Sequence, residues 1–358
     1  MFVHIVAPPG SAHAEPADCL RSFVFDANLA AQEASGDPAA SGSPRRVLQR
    51  LQGSTESRTY LVGLTDSVLG PAGELGLPVI SAAEPSPEID FDGFIHISLP
   101  LLEETDNADI ECVLAADLLP LPGEELEPEA LEVTRTLARE ALRLTRQLGR
   151  KNAQVGMLYP PDADRSYDPM SQAYLELGFR QKHAERQMYI DIAATSPVLG
   201  AQVWPDYDIP DALLDDVLRL LTLASTDAVY GDLSVEPIVW TRQRLEEAHA
   251  RLRSRNAHTL LVGILDQGKV VALTELSRHG DADPEVCEWT LTVTDREYRR
   301  RGFATRAKQH AQYAVAHHWP TVHRAYCSVA QADPAMNALY ARLGAHVISA
   351  SSAYELTV

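Results

Sequence analysis

The sequence predicts an α/β fold built as two tandem domains, and two observations lead to that prediction. The chain has 358 residues, more than a single hydrophobic core usually serves. Strand and helix patterns alternate along it, and their order in the second half repeats their order in the first. The clearest repeat relates residues 174–179 to residues 340–345, both starting Tyr-x-x-Leu-Gly, at an offset of 166 residues. We therefore expect two copies of one fold, with domains at 1–195 and 196–358.

In the first domain, strands are predicted from short alternating or β-branched runs and helices from apolar residues at helical spacing. The predicted strands are 1–7, 59–64, 94–101, 108–119, 154–158 and 187–192, and the predicted helices are 16–34, 45–51, 128–148 and 169–177. The Gly/Ser/Pro-rich stretch 36–44 is predicted to be a loop, and the acidic, Gly/Pro-rich stretch 69–92 a surface excursion.

In the second domain, the predicted strands are 203–207, 259–265, 269–277, 287–294, 322–328 and a closing strand pair that ends at Val358. The predicted helices are 209–223, 241–255, 302–319 and a short one that begins at Pro334. Asp333 is a good N-cap for that last helix and Gly344 a good residue to end it. Residues 266–268, Asp-Gln-Gly, are predicted to form a hairpin turn.

The stretch around Gly302 has the pattern of a phosphate-binding loop. It follows strand 287–294, contains Arg299-x-x-Gly302-x-Ala304, and leads into helix 302–319. The first amides of a helix have no intrahelical partner and carry partial positive charge, so they attract phosphate. Gly302 lets the backbone approach a ligand closely. The Walker loop is excluded because no Gly-Lys-Ser/Thr follows, and the dinucleotide fingerprint because it needs three glycines.

This loop resembles the pyrophosphate loop of the GNAT superfamily of N-acetyltransferases, whose signature is Gln/Arg-x-x-Gly-x-Gly/Ala. The short helix ending in Tyr340-x-x-Leu-Gly resembles the closing half of the same fold, although Ala345 stands where the family usually has Phe. The resemblance covers roughly the second half of the chain. It implies a mixed, mostly antiparallel sheet flanked by helices in each of two tandem GNAT domains.

The resemblance also implies where acetyl-CoA, the co-substrate, would bind. Its pantetheine would lie along the strand, where the amide near Val293 would polarise the thioester carbonyl, and its pyrophosphate would rest on the loop and the first helical turn. The expected contacts are Leu291, Thr292, Val293, Thr294, Arg299, Arg300, Arg301, Gly302, Phe303, Ala304, Thr305 and Asn337.

Two residues are the expected acid and base. Glu288, seven residues before Asp295, matches the glutamate base of tandem acetyltransferases of the mycothiol-synthase type, and we expect it to be partly buried. Tyr340 matches the tyrosine that protonates the departing thiolate in the family. Acyl transfer to an amine needs both functions, because the amine must lose a proton and the thiolate must gain one.

The first domain has no such loop. Residues 119–129 instead place glutamates before helix 128–148, which favours the helix but repels a pyrophosphate. We expect domain 1–195 to be a degenerate GNAT-like copy that packs against the second domain and shapes the acceptor pocket. Domain 196–358 would then be the catalytic copy.

Composition limits the partners. The net charge of −19 argues against nucleic acid, whose binding depends on Lys and Arg. No run reaches the roughly 18 apolar residues of a membrane helix, and residues 1–9 lack the basic region of a secretion signal. The four cysteines (Cys19, Cys112, Cys287 and Cys327) show no metal-ligand spacing. They suggest reduced thiols, so we expect a cytoplasmic, metal-free monomer or homodimer.

The expected function is acetyl-CoA-dependent N-acetylation of a primary amine on a small molecule, by direct attack with a general base and a general acid. The acceptor would be an antibiotic or an amino-sugar or cysteinyl metabolite. Two alternatives remain open: a protein N-acetyltransferase, and a regulatory protein that senses acyl-CoA without catalysis.

Overall fold

The computed structural model describes residues 1–11, 14–120, 124–193, 195–280 and 282–358. The chain divides into two compact units. The first unit comprises Met1–Glu185, Tyr230–Glu236 and Ile348–Val358, and the second comprises Arg186–Val229 and Pro237–Val347.

The first unit contains six complete strands and four α-helices among the described residues. The strands are β1 (Phe2–Ala7), β2 (Ser57–Thr65), β3 (Val79–Ser81), β4 (Gly93–Pro100), β5 (Asn107–Leu114) and β6 (Asn152–Tyr159). The helices are α1 (Asp18–Ser35), α2 (Pro44–Leu51), α3 (Pro128–Gln147) and α4 (Ser171–Glu176). Strand β7 (Arg180–Asp191) begins in the first unit and ends in the second.

The second unit follows with five complete strands and four α-helices among the described residues. The strands are β8 (Ala201–Pro205), β9 (Ala257–Asp266), β10 (Lys269–His279), β11 (Val286–Thr294) and β12 (Arg324–Ala330). The helices are α5 (Asp211–Asp227), α6 (Arg242–Ser254), α7 (Phe303–His318) and α8 (Pro334–Arg342). The last element of the chain is β13 (His346–Thr357).

In the first unit the strands lie in the order β3-β1-β2-β4-β5-β6-β13. The pairs β1–β3 and β5–β6 are parallel, and the other pairs are antiparallel. Successive side chains of a strand point to opposite faces of the sheet. Consecutive residues of β2 are apolar and buried, so both faces of the sheet are apolar there. On β2, Val62 packs into the cluster that contains Leu137 of α3, whereas Leu61 packs into the cluster that contains Leu20 of α1 and Leu48 of α2.

The C-terminal strand β13 belongs to the first unit over most of its length. Ala350–Thr357 pair antiparallel with Tyr159–Asn152 of β6, and Tyr354 is buried in the core cluster on the α3 side. The predicted closing strand pair is therefore wrong: residues 346–357 contain neither Gly nor Pro and form one long strand. The compact units also have different limits from the predicted domains 1–195 and 196–358, because this strand completes the first unit.

In the second unit the order is β12-β11-β10-β9-β8, antiparallel except for β11–β12. The predicted hairpin joins β9 to β10, with positive φ at both Gln267 and Gly268, as a two-residue hairpin turn requires. One cluster includes Trp289 of β11 with Ala311 and Val315 of α7. A second cluster includes Val293 of β11 with residues of α5 and α6.

Three smaller predictions also need correction. The predicted strand 108–119 ends at Leu114 and is followed by a one-turn helix, Ala116–Leu118. The excursion 69–92 contains strand β3, and β7 begins at Arg180 rather than at 187. Residues 121–123 of the predicted acidic loop lie outside the described residues. No helix within the described ranges is long and apolar enough to span a membrane.

Candidate active site

Strands β11 and β12 pair over only part of their length. The parallel ladder joins Val286–Glu288 to Arg324–Tyr326, although β11 continues to Thr294 and β12 to Ala330. The two strands therefore diverge beyond Glu288, and residues 289–294 present backbone groups on the side from which β12 has departed. We call this opening the β11–β12 cleft. It contains all four strand residues predicted to contact acetyl-CoA.

A β-bulge re-aims β11 beside this cleft. Glu275 of β10 lies opposite Leu291, but its neighbour Leu276 lies opposite Trp289, so Thr290 is an extra residue. Such a bulge bends its strand and often lies beside a functional site. It is held by hydrogen bonds to Thr274: the Trp289 indole donates to its hydroxyl over 2.7 Å, and that hydroxyl donates to the Leu291 carbonyl over 2.9 Å.

The loop after β11 leads directly into α7. Asp295 caps a one-turn helix at Arg296–Tyr298, and Gly302 is the N-cap of α7 with φ +80°. Arg300 also has positive φ, 62°. A side chain at Gly302 would meet no other atom within 4 Å, so space is open beside the start of the helix. This is the predicted position for a pyrophosphate.

The arginines of the loop differ in the groups that they contact. Arg299 and Arg296 both bind the carboxylate of Asp227, at the end of α5, and Arg299 Nε donates to the Thr294 carbonyl over 3.2 Å. Arg301 is exposed and lies 5.2 Å from the ring centroid of Tyr298. These arginines add positive charge at the helix start, but Asp227 neutralises part of it.

The remaining predicted contacts lie on the first turn of α7. Phe303 is buried in a small apolar cluster, which anchors the turn, and Ala304 and Thr305 are half-buried. The residues present fit a diphosphate: free space at a glycine, a helix N-terminus without a side-chain cap, and nearby arginines.

Tyr340 lies on α8 with its side chain 3% exposed. Its hydroxyl is 2.8 Å from Lys308 Nζ of α7 and also interacts with the Cys327 thiol of β12. Burial raises the pKa of Tyr340 well above its usual value. The structure thus places Tyr340 on the α7 side of the sheet, packed edge-on against Trp289, with ring centroids 6.4 Å apart.

Glu288 lies on the opposite face of β11. Its neighbours Cys287 and Trp289 both belong to the cluster on the α7 side, so alternation directs Glu288 towards the α5/α6 side. The side chain is exposed, which corrects the expected partial burial. Glu288 is the last residue of β11 that pairs with β12, and the bulge at Thr290 follows it closely.

Glu275 is a second carboxylate beside the bulge, and the sequence reasoning missed it. It is 6% exposed and accepts hydrogen bonds from Thr290 Oγ1 (2.6 Å) and Tyr207 Oη (2.8 Å). Burial raises its pKa. The available signal was a glutamate inside the otherwise apolar run 270–276 of a predicted strand.

Asn337, which was predicted to contact acetyl-CoA, makes three side-chain hydrogen bonds within the protein. Its Nδ2 donates to the carbonyls of Ala330 (2.8 Å) and Asp333 (2.6 Å), and its Oδ1 accepts from Arg186 (3.2 Å). These bonds fix the loop between β12 and α8 and thereby position the helix that carries Tyr340.

Two cysteines and a histidine near the site are buried. Cys287 and Cys327 are buried, and burial raises their pKa values to about 12 and about 11. His310 accepts a hydrogen bond from the Val198 amide over 3.0 Å. Among the residues placed by the structure, no group of three or more His, Cys, Asp or Glu side chains is arranged to hold a metal.

Part of the chain is similar to a known protein family. Residues 226–345 match the model of the acetyltransferase (GNAT) family. No curated protein matches the sequence.

Among solved structures, a tandem GNAT protein from the clavulanic acid biosynthesis pathway superposes with a TM-score of 0.65 and 16% identity, over 99% of this chain and 98% of that one. A GCN5-related N-acetyltransferase from Sphaerobacter thermophilus gives 0.58 and 15%, over 96% and 95%. A GNAT-family acetyltransferase from Colwellia psychrerythraea gives 0.52 and 11%, over 96% and 99%. Residues 226–345 therefore resemble the acetyltransferase (GNAT) family, and the chain as a whole has the fold of tandem GNAT proteins.

Proposed function

We propose that this protein is an N-acetyltransferase that uses acetyl-CoA to acetylate a primary amine of a small molecule. The observation that carries the proposal is the divergence of β11 from β12 beside the open N-terminus of α7. Acetyl-CoA supplies the acetyl group as a thioester, which an amine can attack directly. The domain organisation, with 1–195 as a degenerate copy and 196–358 as the catalytic copy, is part of the proposal.

Binding is assigned to backbone groups. The amides of the Gly302 loop and the first turn of α7 hold the pyrophosphate, because they are oriented towards open space and carry the positive end of the helix dipole. The backbone of Leu291, Thr292, Val293 and Thr294 pairs with the pantetheine amides as an added strand would. Arg299, Arg300 and Arg301 contribute charge.

Proton transfer is assigned to side chains on opposite faces of β11. Glu288 accepts the proton of the attacking amine, directly or through water, and its exposure leaves it accessible to a dissolved acceptor. Tyr340 donates its hydroxyl proton to the leaving sulfur. The bulge at Thr290 lies on β11 between Glu288 and Val293, and the amide near Val293 would polarise the thioester carbonyl.

The acceptor is proposed to be a cationic small molecule. Glu288 and Glu275 place two carboxylates on the α5/α6 side of the sheet, and the chain carries a net charge of −19, which favours the approach of an ammonium group. A structural neighbour is a tandem GNAT protein from the clavulanic acid biosynthesis pathway, which supports a small metabolite as the acceptor class.

The test measures free thiol released from acetyl-CoA in the presence of aminoglycosides, amino sugars, cysteinyl compounds and amine-bearing peptides. Thiol release with a small amine supports the proposal. Release with peptides alone would favour protein acetylation, and tight acetyl-CoA binding without release across the panel would favour a sensor.

Variants then test the assigned roles. Tyr340→Phe should lower kcat by roughly a hundredfold to ten-thousandfold, the range of general acid catalysis, while sparing acetyl-CoA affinity. Glu288→Gln should also lower kcat. Tyr174→Phe is the matched control, since Tyr174 is the buried tyrosine at the repeat-related position of the first unit. Equal turnover in wild type and Tyr340→Phe would remove the acid role.

A further inference from the structure

Lys308 is a lysine buried completely in the second unit. Its side chain is 0% exposed, although α7 offers exposed positions on its other side. No ion pair with a carboxylate is found for it within the residues that the structure describes. Burying an amine in this way is costly unless it is neutral or paired, and an apolar side chain would fill the space without that cost. The position therefore calls for a role besides packing.

The amine is enclosed by three elements that surround the candidate acid. Lys308 Nζ lies 2.8 Å from Tyr340 Oη, 3.7 Å from the centroid of the Trp289 ring and 4.1 Å from that of the Tyr340 ring. Tyr340 in turn interacts with the Cys327 thiol of β12. The titratable groups facing Lys308 are thus Tyr340 from α8 and Cys327 from β12, while β11 contributes Trp289, which does not titrate.

We propose that Lys308 and Tyr340 form a proton-donating pair, in which Tyr340 gives its hydroxyl proton to the leaving sulfur and Lys308 replaces that proton. This inference rests on the proposed acetyl transfer and deepens it. Lys308 acts through Tyr340 and does not itself touch the reacting atoms.

The protons balance over one turnover. The O–H bond of Tyr340 breaks as the S–H bond of the free thiol forms, and one N–H bond of the Lys308 ammonium breaks as the tyrosine O–H bond is restored. Lys308 becomes a neutral amine and regains a proton from solvent before the next turnover. The proton lost by the attacking amine leaves through Glu288 or water.

The electrostatics of the site explain why a pair would work better than tyrosine alone. Burial raises the pKa of Tyr340 and lowers that of Lys308 well below its usual value. A lone buried tyrosine would leave an unpaired phenolate, which is strongly disfavoured. The pair ends instead as neutral amine and neutral phenol. Two such interacting groups titrate as a unit.

The first arm of the test is a double-mutant cycle on kcat for the amine found active. Lys308→Met preserves the approximate shape and should lower kcat by about a hundredfold, the lower end for general acid catalysis, with acetyl-CoA affinity unchanged. The double variant Lys308→Met/Tyr340→Phe should be no slower than Tyr340→Phe alone, because members of one unit are not additive. Gln312→Met, a buried polar residue on the same helix, is the control and should combine additively with Tyr340→Phe.

The second arm is the pH dependence of kcat. Activity of the wild type should fall as the pH rises through the apparent pKa of the pair, which lies below the usual lysine value. In Lys308→Met this alkaline limb should move to higher pH, because only the tyrosine remains to lose a proton. A lysine with a purely structural role would leave the limb in place.

The third arm needs no activity. Because the folded protein binds a proton at Lys308 less readily than the unfolded chain does, folding is opposed increasingly as the pH falls below the usual lysine pKa. Lys308→Met should therefore be at least as stable as the wild type, with an advantage in Tm that widens towards lower pH.

The outcomes separate this inference from the proposed function. Additive losses in the cycle, an unmoved alkaline limb or a constant difference in Tm would each overturn the pair while leaving acetyl transfer intact. If the wild type releases no thiol with any amine, the proposed function fails, and the pair as a proton donor for acetyl transfer fails with it.

Discussion

The most discriminating prediction concerns two glycines that share a backbone conformation but only one of which lies at the proposed pyrophosphate site. Gly302 precedes α7 with φ +80°, and Gly344 follows α8 with φ +75°. Neither would bring a new side chain within 4 Å of another atom. Replacing each by alanine therefore applies the same backbone perturbation without a steric clash.

The stability effect should be nearly equal. A left-handed conformation costs an L-residue roughly 1–2 kcal/mol, and the alanine recovers about 0.4–1 kcal/mol by restricting the unfolded chain. A net loss of about 1 kcal/mol corresponds to a decrease in Tm of about 2–4 °C for a unit of this size. Thermal unfolding followed by circular dichroism measures it for both variants.

The binding effect should differ. At Gly302→Ala the methyl group enters the space assigned to the phosphate and displaces one charge-assisted hydrogen bond, worth about 1.5–3 kcal/mol. The Kd for acetyl-CoA should therefore rise roughly tenfold to a hundredfold, and that for Gly344→Ala should not change. Isothermal titration calorimetry gives both values. Equal affinities in the two variants would refute the assignment of the pyrophosphate to this loop.

Further predictions concern three carboxylates. Asp227→Asn should tighten acetyl-CoA binding at low ionic strength, because it releases Arg299 for the phosphates; weaker binding in calorimetry would contradict this. Glu275→Gln should keep its two hydroxyl partners and the stability, whereas Glu275→Leu should lose about 1–3 kcal/mol by leaving them unpaired, as denaturant unfolding would show. Burial would raise the pKa of Glu355, but hydrogen bonds from Ser234 and Gln154 hold the pKa below its usual value. The ionised Glu355 therefore stabilises the folded protein at neutral pH, and this contribution is lost as the pH falls. The decrease in Tm between about pH 7 and about pH 3 should be smaller in Glu355→Gln than in the wild type.

Local signals were sufficient to predict the elements that surround the site. The loop at Gly302 is encoded within a few residues, because a positive φ, a helix start and an adjacent arginine all leave marks in the sequence. The same holds for α8, whose capping residue Asp333 accepts from the Met336 amide over 2.9 Å.

The residues that the sequence reasoning missed depend on burial from distant parts of the chain. Lys308 lies one turn from Ala304 and Ala311, on the apolar side of α7, which was a usable signal. Its contact with Tyr340 spans 32 residues and follows only from packing α7 and α8 on one side of the strands. Likewise, the exposure of Glu288 depends on which helices cover β11, and a strand pattern does not specify that.

The position of β13 has a consequence for how the protein is made. The edge of β6 that it covers is complete once Tyr159 has been synthesised, yet its partner Ala350 follows about 190 residues later. At roughly 5–20 residues per second, the ribosome leaves that edge without its native neighbour for about ten to forty seconds. During this interval nascent chains on the same messenger could pair with one another through the open edge. The sheet of the first unit is thus completed only when β13 has been synthesised. Until then, nascent chains that lie close together are exposed to mispairing at the edge of β6.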